Sequence, residues 1–481
     1  QLAALDASDI GEFAATQIAA LTTAQVSALA ATQLAALADT QVAALTATQL
    51  GAISSTKFAA LDETQVGALT ATQVGALSTL HLQALSNTEV SALDATQVAA
   101  LNGTQLRGFT ATQLASLASG DFAEFSASQV AQFSTTQVRG LSDTNIAALA
   151  DTQVAALTTA QVQALNTTNV NALSGTQVGA LTTTQAAALT TTQLAALDSS
   201  DMLEFAETQL AAMSVTQIKS ISETNMAALA DTQIAALTAT QVAALSTTVV
   251  QALTETQVAA LTLGQVAAFT AQQVAAFTNT NLSALDATQI GALNGTQTKA
   301  ITATQIDALS ATDVAEFTTT QLAALATTQV QALTQTNIAS LADTQIQALT
   351  ATSVARLSTE ALHALDTVQV GAMTTTQVKA LTTTQIGALE STDIGEFNET
   401  QIGAMATTQI QAWSTTVIAE LQALQIAALT VTQIPSLSTT QLDHLSTTNI
   451  ALFNTTQLYA FTSTQVASLD GDQIEAYLSV A

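Results

Sequence analysis

Five short acidic motifs are the first places in this sequence where chemistry could sit. Each reads Asp, an apolar residue, any residue, then Glu-Phe: Asp9/Glu12/Phe13, Asp121/Glu124/Phe125, Asp201/Glu204/Phe205, Asp313/Glu316/Phe317 and Asp393/Glu396/Phe397. Carboxylates at i and i+3 share one face of a helix, which is a start toward a Ca²⁺ site. Calcium wants about six to eight oxygens, and no second acidic cluster stands beside these pairs in the sequence. The plainer reading is that Asp replaces Gln at the helix start and Glu solvates a surface row. Calcium at these ten carboxylates is the only metal weighed, and no cofactor is expected. His81, His363 and His444 fall in different registers and far apart, so no histidine cluster is expected. With no Cys there is no thiolate and no Cys/His zinc spacing. No phosphate-binding glycine loop or nucleophile elbow occurs. No catalytic residue is assigned, and the chain is expected not to be an enzyme.

The elements that must position these residues follow from a strict period. The 481 residues divide into sixty octapeptides plus one residue, without insertion or deletion. Numbered from Thr22, the octad reads [STDN]-x-T-Q-[VIL]-A-A-[LF], as in Thr22-Thr23-Ala24-Gln25-Val26-Ser27-Ala28-Leu29. Most first positions are Ser, Thr, Asp or Asn, the preferred N-cap residues. Gln three residues later completes a capping box. The Leu before the cap and the apolar residue after Gln are placed for a hydrophobic staple, as Leu21 and Val26 are. A helix start is therefore written every eight residues.

Other readings fail on geometry. A continuous α-helix would rotate its apolar stripe by about 80° per octad and never form a seam. A strand needs alternation with period two. A disordered polar tract need not keep phase or retain its paired aliphatic positions. Helices of five to seven residues do not persist alone in water, so each must be covered by its neighbours. The expected fold is all-α: an α-solenoid of very short capped helices, one per octapeptide. Residues 1–481 are read as a single continuous array. A super-repeat of twenty-four octads is written over it, as 9–200, 201–392 and a partial 393–481.

The exceptions bear on the number of helices per coil. The motif phenylalanines are spaced by fourteen, ten, fourteen and ten octads, all even numbers and none a multiple of three. Arg107, Arg139, Lys219, Lys299 and Lys379 share one octad phase at spacings of four, ten, ten and ten octads. The favoured expectation is two helices, and so two octads, per coil. Three octads per coil is the competitor, and even-length duplication is the non-structural explanation. The phenylalanine row is expected in the core. Pro435, at the fifth helical position, is expected to distort its helix locally without breaking the array.

Net charge is −28, which argues against nucleic acid and anionic membrane as partners. No apolar run approaches the ~20 residues of a membrane span, so no membrane insertion is expected. Phase-locked threonines such as Thr32, Thr40 and Thr48 would form a ladder if every octad stacked alike, a geometry that can order water, although helix entry already accounts for them. The start at Gln1, inside the repeat and without a leader-like segment, is read as a piece of something longer. The octad resembles the Thr/Gln-rich octapeptide tracts of large secreted or surface bacterial repeat proteins. That resemblance implies an extracellular, acidic scaffold. The expected role is a self-associating rod or filament subunit, joined end to end or laterally. The alternative is an adhesin stalk or surface-binding module whose ligand the sequence does not name.

Overall fold

The computed structural model describes residues 2–480. They form 58 α-helices and two 3₁₀ helices, with no strand among the described residues. Two compact units divide the chain, residues 1–244 and 245–481. Each unit is an α-solenoid in which nearly every octad supplies one helix of four to six residues.

The expected start signal operates as written. The Thr46 hydroxyl accepts the Gln49 N–H at 3.2 Å, while Gln49 Oε1 accepts the Thr46 N–H at 2.6 Å. Where Ala stands at the cap, half of the exchange survives: Ala38 N–H still donates to Gln41 Oε1 at 2.6 Å. The chain turns without left-handed backbone, since no described residue has positive φ. Leu45 (φ −58°, ψ 137°) and Thr46 (φ −72°, ψ 154°) are both extended, and this two-residue bend redirects each helix into the next.

The fifth and eighth octad positions form the core in both units. Val66 and Leu69, Val162 and Leu165, and Ile346 and Leu349 are buried. Phe125, Phe205, Phe317 and Phe397 are buried with them, so the aromatic row is core; Phe13 is half-buried. Pro435 replaces one α-helix by a turn and the 3₁₀ helix Ile434–Ser436. The distortion is local, because Gln433 keeps its bonds to Ile402 O (2.9 Å) and Met405 O (2.8 Å).

The coil corrects the expectation of two helices. Close backbone contact runs between each helix and the third one after it, as between Ala15–Ala19 and Asp39–Ala44, which begin three octads apart. A coil therefore takes three helices and three octads, not two. The reason is dimensional. A helix of five or six residues is about 8–9 Å long, shorter than its own diameter of about 10–12 Å. Two such rods cannot enclose side chains between them, whereas three can. Odd and even octads show the same burial pattern, so no structural row corresponds to the alternation of aromatic and basic residues. The long super-repeat does fit, since its twenty-four octads make eight coils of three.

Candidate functional site

The capping-box Gln has a second duty that the octad alone did not reveal. Its oxygen is occupied by its own cap, and its Nε2 donates to carbonyls one coil earlier. Gln65 Nε2 bonds Leu34 O at 3.1 Å and Leu37 O at 2.6 Å, while Gln65 Oε1 accepts the Asp62 N–H at 2.9 Å. Leu37 lies at the junction just before the helix Asp39–Ala44, which is the helix beneath. In the second unit, Gln321 repeats the arrangement with Ile290 O (2.6 Å), Leu293 O (2.9 Å) and the Thr318 N–H (2.9 Å). These glutamines are buried, with Gln161 only 1% exposed. One amide thus satisfies three backbone groups that the interior would otherwise leave without partners.

Substitutions at this position show what the ladder requires. Asn is shorter and keeps only the nearer carbonyl, as Asn145 Nδ2 does with Leu117 O at 2.9 Å and Asn225 with Leu197 O at 2.8 Å. Lys57 keeps a donor, bonding Ser27 O at 2.7 Å, but has no acceptor for its cap. His81 replaces the amide on both sides: Nδ1 accepts the Ser78 N–H at 3.2 Å, and Nε2 lies 2.8 Å from Ile53 O. That assigns the neutral tautomer with hydrogen on Nε2, and the ring packs against Phe58 at a centroid distance of 5.0 Å. His363 and His444 lie elsewhere, with Nε2 of the former 3.0 Å from Ala388 O and Nδ1 of the latter 2.9 Å from Thr440 O. The three histidines do not converge.

The acidic motifs occupy the same ladder position. Asp201, Asp313 and Asp393 accept their own cap N–H, at 2.9, 2.9 and 2.6 Å, and so does Asp9. A carboxylate cannot donate, so the bond to the leucine carbonyl beneath is missing; Asp313 instead accepts from Ser283 Oγ in the coil beneath at 2.9 Å. The motif Glu also reaches that coil. Thr367 Oγ1 donates to Glu396 Oε1 at 3.4 Å, and a Cβ on Gly175 would lie 2.1 Å from Glu204 Oε2. The fold also brings a third carboxylate that sequence spacing did not show. Asp94, Asp286 and Asp366, thirty residues before Glu124, Glu316 and Glu396, face those side chains across the coil boundary. Burial, then Asp121 and Asp94, raise the Glu124 carboxyl above the ordinary carboxylate range. Burial, then Asp313 and Asp286, do so for Glu316; burial, Asp393 and Asp366 do so for Glu396 against an opposing bond from Thr367. Burial likewise raises Asp201. Among the described residues no three His, Cys, Asp or Glu are gathered closely enough to hold a metal ion. The structure therefore does not assign Asp9, Glu12, Asp121, Glu124, Asp201, Glu204, Asp313, Glu316, Asp393 or Glu396 as metal ligands.

The grooves between helices are open and shallow. One of about 500 Å³ is edged by Glu63, Asn87, Thr88 and Ser91. Another of about 650 Å³ lies among Leu2, Leu5, Phe13, Leu21 and Ala28. The third-position threonines are exposed, and Thr32, Thr40 and Thr48 sit on successive helices of a coil. Axial neighbours are three octads apart, such as Thr16, Thr40 and Thr64. Among the described residues no helix is long and apolar enough to cross a membrane.

All-helical coils of near-identical octads define the class: this is a helical repeat protein of the solenoid type. Residues 151–183, 353–383 and 363–399 match the ALTTAQ repeat family, and those segments are similar to that repeat. No curated protein matches the chain.

Proposed function

We propose that this chain is a non-enzymatic structural element that works outside the cell, as a self-associating subunit of a rod or filament. The observation that carries the reading is where the recurrent polar groups go. The cap hydroxyls and the glutamine amides, which dominate the octad, are consumed in holding one helix to itself and to the coil beneath. A polar inventory committed to internal cohesion suits a scaffold better than a site that must bind and release a substrate. Strong net negative charge accords with an acidic scaffold. The exposed third-position threonines favour the alternative, a stalk or adhesin module whose long hydroxyl-bearing surface meets a ligand.

Negative-stain imaging and sedimentation of the purified chain across a hundredfold concentration range test the proposal. Concentration-dependent filaments or higher oligomers support it. Isolated elongated particles of one length at every concentration favour the stalk, and compact particles sink both.

A further inference from the structure

We propose that the acidic octads at Asp121, Asp201, Asp313 and Asp393 are built-in joints, the levels at which successive coils separate first. Four observations converge on them. First, the amide donor is gone. At most levels a Gln binds the leucine carbonyl at the junction beneath, but at these levels the carboxylate has no amide to offer Leu93, Leu173, Leu285 or Leu365, and only Asp313 gains a bond in exchange, from Ser283 Oγ at 2.9 Å. Second, like charges meet across the boundary. Glu124 faces Asp121 on its own helix and Asp94 on the helix beneath; Glu316 faces Asp313 and Asp286 in the same way. Glu396 faces Asp393 and Asp366, and His363 approaches Asp393 to 3.6 Å. Of the helices above, Asp143–Ala147 turns its Asp143 carboxylate to Asn169 Nδ2 at 3.2 Å, and Gln335–Ala339 carries no charge. Third, Glu124 Oε2 and Glu316 Oε2 are shut off from water and have no hydrogen-bond partner. Unpaired buried oxygens are costly, and opening the joint relieves them. Fourth, the backbones are less closely apposed here. The pairs Ala95–Ala99 with Ser119–Ala123, Gly175–Ala180 with Ser199–Leu203, Ala287–Ala292 with Ala311–Ala315, and Thr367–Ala372 with Ser391–Gly395 touch more weakly than most helix pairs three octads apart.

The weakness extends upward. The level above Asp121, Asp201 and Asp313 is Asn145, Asn225 and Asn337, each with a single bond to the coil beneath. Above Asp393 it is Val417, which has none to offer. The Phe that ends each motif enlarges the local core, so the joint remains folded while its axial bonding is thinned. In a repeat array, contacts are between neighbours only, so a weak boundary opens without unfolding the rest. The carboxylates also make the joint responsive to acid. A protonated carboxyl gains a donor and can do what the Gln amide does elsewhere, bonding the facing carboxylate or the leucine carbonyl.

Native-state hydrogen exchange of the full chain, in buffer containing a chelator, reads the joints directly. At neutral pH, amides of residues 94–101 and 119–125, and of 287–293 and 311–317, are expected to exchange at least roughly tenfold faster than those of Gln-bonded levels such as 63–69 and 319–325, a factor equal to one pKa unit of differential stabilisation. The variant E124Q/E316Q/E396Q supplies the donor permanently and should slow exchange at three joints while leaving Gln-bonded levels unchanged. Expressed as protection relative to the intrinsic exchange rate at each pH, acidification to about pH 5 should raise protection at the wild-type joints and leave that of the variant unchanged. A control variant of two exposed acids away from the joints, E63Q/E255Q, should behave as wild type. Uniform exchange along the chain, or equal responses of the two variants, would overturn the proposal.

Discussion

Two octads of the first unit, one with Gln and one with Asp at the fourth position, meet the coil beneath in opposite ways. In residues 158–165, Gln161 takes the Thr158 N–H at 2.7 Å and reaches down to Val130 O (2.9 Å) and Phe133 O (2.8 Å). In residues 118–125, Asp121 has no hydrogen to send down, and the level is closed by Phe122 and Phe125 packed at 5.7 Å. Both octads bury their fifth and eighth positions, so apolar burial alone does not set how firmly a coil grips the next. The amide does. The core decides that the chain coils, and the buried Gln decides how tightly each coil is stapled to the one before it.

That contrast can be broken from either side. The largest effect is expected from Gln161→Asp, which imports the acidic level into the strong one. It removes two donors and sets a buried charge against carbonyl oxygens, a loss of about 3–5 kcal/mol in the local opening free energy read by hydrogen exchange. A loss under about 1 kcal/mol would mean that the ladder is ornamental. The reverse exchange, Asp121→Gln, should gain about 1–2 kcal/mol at its own level, for two net hydrogen bonds restored; unchanged protection there would show that the joint is held apart by something other than the missing donor. Gln161→Asn should sit between, losing about 1 kcal/mol, because the natural Asn levels keep the nearer carbonyl and give up the farther one. Thermal unfolding of this variant in parallel with Gln161→Asp gives the ranking, and an Asn as costly as Asp would refute the reach argument.

Much of this was legible in the octad and one central feature was not. The capping box and the paired core positions follow from residue types within one octad, because helix entry is a local matter of side chain and backbone within four residues. Coil size is not local. The aromatic and basic residues point to even numbers of octads, yet they occupy the eighth and sixth positions, where neither size nor charge is tied to the coil beneath. The informative residues stand at the Gln position, whose amide touches that coil. Most departures from Gln run in steps of three octads: Lys57 and His81; Asp121, Asn145 and Asn169; Asp201, Asn225 and Val249; Asp313, Asn337 and Ala361; Asp393 and Val417; Asp9, Glu89, Asn281, Ser353 and Asn449 stand alone. A change at one level alters what the next can bind, so the exceptions line up along the stack. The third carboxylate at three of the joints is hidden for the same reason, because Asp94 reads as an ordinary cap until the fold sets it beneath Glu124.

The smallest expected effect separates the two kinds of carboxylate by pH. Asp62, Asp198 and Asp286 are caps, and hydrogen bonds hold them below the ordinary range: chiefly the Gln65 N–H for Asp62, the Ser200 hydroxyl for Asp198 and the Thr288 hydroxyl for Asp286. A depressed folded pKa gives stability that is present above the unfolded aspartate value of about 3.9 and lost as pH falls through the folded value. Glu124, Glu316 and Glu396 have the opposite sign. Their raised folded pKa gives stability that is full below the unfolded value of about 4.3 and lost as pH rises through the folded one. These two contributions cross near pH 4–5, where their sum is greatest. Asp62→Asn, at a cap outside every joint, should flatten the acid limb alone, since Asn still caps, whereas E124Q/E316Q/E396Q should flatten the limb toward neutral pH. Melting temperatures between pH 3 and 7 test this; a pair of variants that flattened the same limb would mean that caps and joints are not electrostatically distinct.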